Sequence, residues 1–537
     1  MIRHKGYVIA AVTVAALVSG GWFLQRESEP AGSVYQQARL FDDVLAHVAD
    51  YYVDSLDEKQ LYQMAIDGLL DQLHDPYSTF LKRDDFRALS EATTGDYGGL
   101  GLQIDVRDGW ITVVAPLPDT PAERAGVLTG DRIIALDGRI TEGWKQDEAV
   151  KQLRGEAGSS VELKIRRVGV DQPIVYKLTR ATIHIRSVQL SMLLDDHVGY
   201  IALNPVSQSS AQELQTAVTD LTQKGMKTLI LDLRFNPGGL LSQGIAVSDL
   251  FLDPGAEVVS TRGRAPDATK VYRDTKPQQW PQLPIVVLAN GGTASAAEII
   301  AGALQDHDRA LLVGTPTFGK GLVQSLWQLT PETALKLTTA RWYTPSGRTI
   351  QRTSRNEQDQ EAQVIAAEQG HDTVPDSLIF HTDRGRVVKG GGGIRPDIFV
   401  APDTFTVAER NFLKALSGKI SVYRDVISSY ALELKAGNKP SDPNFSVSEE
   451  MVAEVLRRLR SRGATLPDSV AAGARSLTTQ DLGYEIARYV FGRPAEFRRR
   501  MSNDRQVQQA LALARRAKTP ADLLVLAAGQ TSGPTHN

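Results

Sequence analysis

The 537-residue chain contains no cysteine. That absence excludes thiolate catalysis, disulfides, cysteine-ligated zinc and cysteine lipidation, so a nucleophile must come from another side chain. An excess of charge of one sign is also missing. The 60 Lys and Arg against 63 Asp and Glu leave a formal charge of -3, which gives no electrostatic footprint for nucleic acid as partner. Histidine is sparse, nine in all, and no pair stands at the H-E-x-x-H spacing of a helical metal hydrolase, so neither a catalytic metal nor a cofactor is expected. The one long uncharged apolar run is at the N-terminus, where Arg3, His4 and Lys5 precede Tyr7 to Leu24 and a polar exit follows from Gln25 to Glu29. This is the pattern of an export signal. No small-x-small site closes it, so an uncleaved anchor is expected rather than a removed signal peptide, with the body exported.

The length predicts roughly three to four domains. From Val34 to Leu73 apolar residues recur at helical spacing (Leu40, Phe41, Val44, Leu45, Val48; Leu61, Met64, Leu69), which predicts amphipathic helices packed on the rest of the monomer, with a dimer contact as a second use. Between Tyr97 and about Leu178 the pattern changes to short alternating runs split by glycine and proline turns, with helices at Pro121 to Gly126 and Asp147 to Arg154. From Ile183 to about Val400 strands alternate with helices. Leu229 to Leu233 and Ile285 to Ala289 read as buried strands, and Ser210 to Gln223 and Ala296 to Leu304 as helices, an α/β layer architecture. The polar stretch from Thr353 to Asp376 reads as a surface insertion or loop. Beyond Thr404 the chain is helix-rich, with arginine clusters (Arg457 to Arg462, Arg498 to Arg500) that read as solvated helix faces, and it ends in a Gly/Ser/Thr/Pro tail expected to be disordered.

Four segments carry residues suited to chemistry. Asn290-Gly291-Gly292-Thr293-Ala294-Ser295-Ala296-Ala297-Glu298 places a serine between strand and helix, where free N–H groups can meet a developing oxyanion; Ser295 to Glu298 is equally an S-x-x-E capping box. Gly314 to Gln324 puts Lys320, Leu322 and Gln324 on one face of an extended segment, so the amide can orient the amine; a solvated surface lysine is the plainer reading. To act as base near neutral pH, a lysine of pKa about 10.4 must be shifted by roughly three units, about 4 kcal/mol, through burial. The same segment fits G-x-x-x-x-G-K of a phosphate loop until Gly321 stands where a magnesium-binding hydroxyl belongs, which disfavours a P-loop-like NTPase. Asp232-Leu233-Arg234-Phe235-Asn236-Pro237-Gly238-Gly239 ends a buried strand, a position where α/β sheets bind ligands, although Asp232 and Arg234 also suit a structural pair in a tight turn. Tyr97 to Leu102 is a glycine-rich backbone that can offer N–H groups to a terminal carboxylate, or make a plain hairpin turn.

Taken together, these segments resemble the carboxyl-terminal processing peptidases, or tail-specific proteases. Asp232 to Gly239 is similar to the family's D-L-R-x-N-P-G-G, Asn290 to Glu298 to its nucleophile segment, and Thr317 to Gln324 to its T-x-G-K-G-x-x-Q base segment. Gly391 to Asp397 resembles the motif that closes its catalytic domain, and Asp75-Pro76-Tyr77-Ser78 its early D-P-x-S. The resemblance implies a multidomain α+β protein: a signal anchor or signal peptide (1–32), N-terminal helices (33–95), a PDZ-like domain (96–180), an α/β catalytic core of the ClpP/crotonase-like type (181–403) and a C-terminal helical region (404–537). It implies a serine endopeptidase in which Ser295 is the nucleophile, Lys320 the general base and Gln324 the residue that positions the lysine. Oxyanion donors are the backbone N–H groups of Ala296 and of Gly238 or Gly239. Gly98, Gly99, Leu100, Gly101 and Leu102 would bind the free C-terminus of a protein or peptide substrate. The expected location is the periplasmic side of the inner membrane, held through the N-terminal segment, with a homo-oligomer or an adaptor protein as further partners. A non-catalytic membrane-tethered PDZ scaffold is the alternative from another class, disfavoured because serine, lysine and glutamine are all present. The region after Thr404 falls outside the resemblance.

Overall fold

A computed structural model of the protein describes residues 31–531 apart from 196, 355 and 372–377. The export segment and the end of the C-terminal tail lie outside the described residues.

Near-continuous runs of Val, Ile and Leu form the central sheet because parallel strands are covered on both faces. Its order is Val188–Leu193, Val198–Leu203, Thr228–Asp232, Ile285–Ala289, Leu311–Gly314, Ile398–Phe399, the first pair antiparallel and the rest parallel. Alternation sorts the side chains of each strand between two layers. Leu229, Leu231, Ile285 and Val287 face the helices Ser210–Gln223, Leu241–Asp249 and Ala296–Asp306. Ile230, Val286 and Leu288 face Val507, Leu511 and Leu523 of the helices Arg505–Ala514 and Pro520–Thr531. The far C-terminal helices are thus the second layer of the central sheet. A second sheet carries the strands Leu322–Thr330 and Thr333–Tyr343, paired antiparallel.

Residues 102–179 form an antiparallel sheet in the order Leu102–Arg107, Trp110–Pro116, Arg132–Leu136, Ser160–Arg166, Ile174–Thr179. Ile111, Val113, Ile133 and Leu163 fill its core, and the helix Gln146–Leu153 closes it. Leu102–Arg107 is an edge strand of this sheet.

Three expectations are corrected. The polar stretch at 353–376 contains a helix, Glu357–Glu368, capped by Asn356 and buried through Gln360, Val364 and Ala367. Its five apolar residues, three of them alanine, fall among seven polar ones, and a glutamine shares the buried face, so no clear periodicity shows. The helix Ala31–Tyr51 packs only in part on the monomer: Leu45 and Val48 are half-buried and Asp42 Oδ1 accepts the Tyr62 hydroxyl (3.0 Å), but Leu40, Phe41 and Val44 are 64%, 52% and 52% exposed. Several C-terminal arginines are paired rather than simply solvated, as in Arg458 with Glu433 (2.7 Å) and Glu454 (2.7 Å).

Candidate active site

The strand Ile285–Ala289 ends at Asn290, whose side chain joins two of the sequence segments. Asn290 Oδ1 accepts the N–H of Phe235 (2.9 Å) and of Gly292 (3.1 Å), and Ala294 N–H donates to Asn236 O (2.9 Å). The third segment joins through Phe318 N–H to Thr293 O (3.0 Å). Residues 232–239, 290–298 and 317–324 therefore meet at the ends of adjacent strands, as the sequence order alone does not require.

Ser295 is half-buried at the N-terminus of the helix Ala296–Asp306. The capping box is present, with Glu298 Oε2 accepting Ser295 N–H at 2.8 Å. Capping does not explain the backbone, however. An N-cap residue ordinarily lies in the β region, whereas Ser295 has φ 54° and ψ -120°. Such a conformation in a non-glycine residue costs on the order of 1–3 kcal/mol and holds the side chain out on a sharp turn. Ser295 opens onto a cleft of about 270 Å³ lined by Leu241, Ile299, Leu322, Trp342 and Lys336.

Lys320 is partly buried, and its Nζ lies 4.5 Å from the centroid of the Tyr77 ring. Nζ donates to Gln324 Oε1 (3.4 Å), and Gln324 Nε2 donates to Tyr77 O (3.1 Å). Burial pushes the lysine pKa down and Lys336 pushes the same way, while Glu298 and Asp75 pull it back. The balance favours the neutral amine more than in a free lysine. No hydrogen bond joins Nζ to Ser295 Oγ among the described residues. Such bonds are often long before substrate arrives.

Glu298 is 0% exposed and holds the two segments together. Oε1 accepts Thr317 Oγ1–H (2.5 Å) and Gly319 N–H (2.7 Å), and Oε2 accepts Ser295 N–H and Lys320 N–H (2.9 Å). Burial raises its pKa, and hydrogen bonds from Thr317, Lys320, Gly319 and Ser295 oppose that rise. The sequence offers this residue only as a helix cap. Tyr77 was visible only as the variable letter of D-P-x-S. Asp75 Oδ2 accepts Ser78 Oγ–H (2.5 Å), and Ser78 Oγ accepts Thr338 N–H (3.0 Å), which seats Tyr77 beneath the lysine.

The free backbone donors are unevenly distributed. Gly238 packs against Ser295, so closely that an added Cβ would stand 2.8 Å from Ser295 Cβ, but its N–H already donates to Asn236 Oδ1 (2.9 Å). The N–H groups of Ala296 and Gly239 have no acceptor among the described residues. In the 102–179 unit, Leu100 O and Gly101 O accept N–H bonds from Ala122 (3.0 Å) and Leu117 (2.8 Å). Gly101 has φ 74°, and the turn it makes leads into the edge strand Leu102–Arg107. The strand after Lys320 replaces the helix that a phosphate loop would require. Among the described residues no group of three or more His, Asp or Glu is placed to hold a metal ion.

Three family models match: peptidase family S41 over residues 197–361, a PDZ domain over 112–167 and the N-terminal domain of the activating protease CtpB over 23–85. The chain is 40% identical over 356 residues to a carboxy-terminal-processing protease of Bartonella bacilliformis, covering 65% of this chain and 81% of that protein. It is 38% identical over 302 residues to carboxy-terminal processing protease CtpA of Bacillus subtilis, covering 56% of this chain and 64% of that one. Among solved structures it is similar to a photosystem II D1 C-terminal processing protease, with 29% identity, a TM-score of 0.36, and coverage of 68% and 87% of the two chains.

Proposed function

The chain belongs to peptidase family S41, as a PDZ-containing serine peptidase of the carboxy-terminal processing type, and on that premise we propose that Ser295 and Lys320 are its catalytic dyad. The observation that carries this reading is the convergence at Glu298, which binds the backbone of both residues and so fixes serine and lysine segments against one another. Neutral Lys320 takes the hydroxyl proton as Ser295 Oγ attacks the peptide carbonyl. Ala296 and Gly239 N–H stabilise the oxyanion, with Gly238 supplying the close approach rather than the donor. The amine leaves with the proton from Lys320, giving an acyl-serine. Water then attacks this ester, Lys320 accepting its proton, and the acid departs as Ser295 is restored. Gln324, held by Tyr77 O, steers the amine through its Oε1. The apolar lining beside Ser295 favours an apolar residue before the cleaved bond.

The PDZ domain supplies the entry point. An extended substrate tail would add to the unpaired edge of Leu102–Arg107, its carboxylate facing the Leu100–Leu102 turn, since Gly98 and Gly99 are held in the strand Asp96–Gly99, paired with Ala181–His184. The basic flank and apolar run before residue 31 support export and anchoring at the periplasmic side of the inner membrane, and among the described residues no helix is long and apolar enough to cross a membrane. The unpacked apolar side of Ala31–Tyr51 supports contact with a second copy, with an adaptor as another candidate for that face.

Cleavage of an unfolded test protein with a free or an amidated C-terminus tests both parts, with Ser295→Ala and Lys320→Ala as controls. The expected result is faster cleavage of the free form and none by either variant. Equal rates on the two substrates would refute tail selection, and cleavage by Ser295→Ala would refute the nucleophile.

A further inference from the structure

The C-terminal helical region has no part in the sequence motifs, yet it reaches the turn that carries Gly239. Arg234, the arginine of D-L-R-F-N-P-G-G, has a side chain only 12% exposed and shares its donors between two domains. Nε and Nη2 bind Asp232 (3.0 and 2.6 Å), whose Oδ2 also accepts the Tyr200 hydroxyl (2.6 Å). Nη1 points the other way, to Asp504 Oδ2 (2.8 Å) and Gln506 Oε1 (3.0 Å). Gln506 is itself fixed, 4% exposed and with Nε2 donating to Val400 O (2.8 Å). Asp504 caps the Arg505–Ala514 helix through Oδ1 to Val507 N–H (3.0 Å).

Behind Asp504 stands a rigid support. The helix Arg493–Asn503, eleven residues and therefore about 16 Å long, ends at Asp504. Its start is anchored on the PDZ sheet: Arg493 Nη2 donates to Gln103 Oε1 (3.0 Å) and, just before it, Arg488 Nη2 donates to Val114 O (3.0 Å). Arg107, on the same face of the edge strand as Gln103, donates to the Tyr489 hydroxyl (2.7 Å). Asn503 Nδ2 ties the other end to Tyr484 OH (2.9 Å).

The residue after Arg234 is Phe235, which has φ 58° and is followed by Asn236, Pro237, Gly238 and Gly239. A left-handed residue at the head of a tight turn is held only by its surroundings, and here Arg234 is one of the holds. We infer that Asp504 and Gln506 are positioning residues for the peptidase: through Arg234 they fix the turn that presents Gly239 N–H to the oxyanion. The inference rests on the assignment of Ser295 as nucleophile. Oxyanion geometry acts on the chemical step and not on ground-state binding, and small misplacements of such donors are costly in rate.

The variants are chosen to separate positioning from folding. Asp504→Asn keeps a good N-cap oxygen but turns an amide toward Arg234. Gln506→Met keeps length and removes the acceptor. Arg515→Gln breaks a different C-terminal contact, Arg515 to Asp195 (2.8 Å), at the other end of the same sheet strand region. Each full-length protein is assayed for kcat and KM on unfolded casein and for the rate at which a fluorophosphonate labels Ser295, with thermal unfolding recorded alongside. For Asp504→Asn, and more strongly for the Asp504→Asn/Gln506→Met pair, kcat and labelling rate should fall about tenfold or more while KM stays within about twofold. Arg515→Gln should keep wild-type kcat. Wild-type kcat in folded Asp504→Asn and in the pair would overturn the inference, as would an equal loss in Arg515→Gln. Should Ser295→Ala still cleave casein, the assignment of the nucleophile has failed; should it be inactive while Asp504→Asn is unchanged, only the positioning role has.

Discussion

Replacing Glu298 tests how the site is held together. Its two oxygens accept four donors, and its surroundings leave the residue 0% exposed. In Glu298→Gln the amide nitrogen must replace one oxygen. Placed on the Oε2 side it would face Ser295 N–H and Lys320 N–H, two donors that cannot accept. Placed on the Oε1 side it meets Thr317 Oγ1, which can accept, and Gly319 N–H, which cannot. The second arrangement is favoured, since the amide can donate to Thr317 Oγ1, and it leaves Gly319 N–H and the Thr317 O–H without this acceptor, at about 1–3 kcal/mol each. Glu298→Ala leaves all four donors without it, a loss of roughly 4–12 kcal/mol that rivals the stability of an ordinary domain. Urea unfolding should therefore rank wild type, Glu298→Gln and Glu298→Ala in falling order. In the folded Glu298→Gln protein kcat should drop by an order of magnitude or more, because Ser295 and Lys320 lose their common anchor. Two variants within about 0.5 kcal/mol of wild type, with unchanged kcat, would refute the reasoning.

Other outcomes follow from single groups. Lys336 helps hold Lys320 below its ordinary pKa, so Lys336→Gln should move the rising limb of the pH profile of kcat/KM to higher pH, because the base then loses its proton later; an unmoved or lowered limb would contradict this. Asp249 is pushed up to about 6, by burial first and by Asp274 second, and Asp249 Oδ1 and Asp274 Oδ2 have no hydrogen-bond partner among the described residues. An acid raised in the folded state favours folding below its unfolded pKa and loses that contribution as pH rises toward about 6, so Asp249→Asn should raise stability at pH 7 by about 1 kcal/mol after allowance for solvent, and flatten the pH dependence between about 4 and 6. Val44→Asp places a charge on the exposed apolar side of Ala31–Tyr51, and sedimentation should show it shifting any self-association of the protein toward monomer.

The parts of this site that were legible in the sequence are those that depend on local residue order. A strand of five apolar residues ending in Asn-Gly-Gly predicts the turn before Ser295, and Lys320 with Gln324 shows the spacing that brings amine and amide together. In the sequence Glu298 is only a cap, because an S-x-x-E pattern carries no sign of contacts 19 to 22 residues downstream. Gly238 could not be separated from Gly239, since which N–H is free depends on where Asn236 turns its side chain. The helix at 357–368 leaves no clear pattern because its buried face is partly polar and covers Tyr77 and Gly291: Gln360 Oε1 accepts the Tyr77 hydroxyl (3.0 Å), and Gly291 N–H donates to Glu368 (2.8 Å). Long-range packing also hid the role of the C-terminal helices, whose apolar residues pair with strands nearly 300 residues earlier.

The central claim is that peptide cleavage passes through an ester on Ser295. Acid quenching of the protein during turnover of an unfolded substrate, followed by mass spectrometry of its proteolytic fragments, measures this directly. The account predicts an acyl adduct on the fragment containing Ser295, present in wild type and absent from Ser295→Ala and Lys320→Ala. An adduct on another residue, or continued cleavage by Ser295→Ala with no adduct, would contradict it.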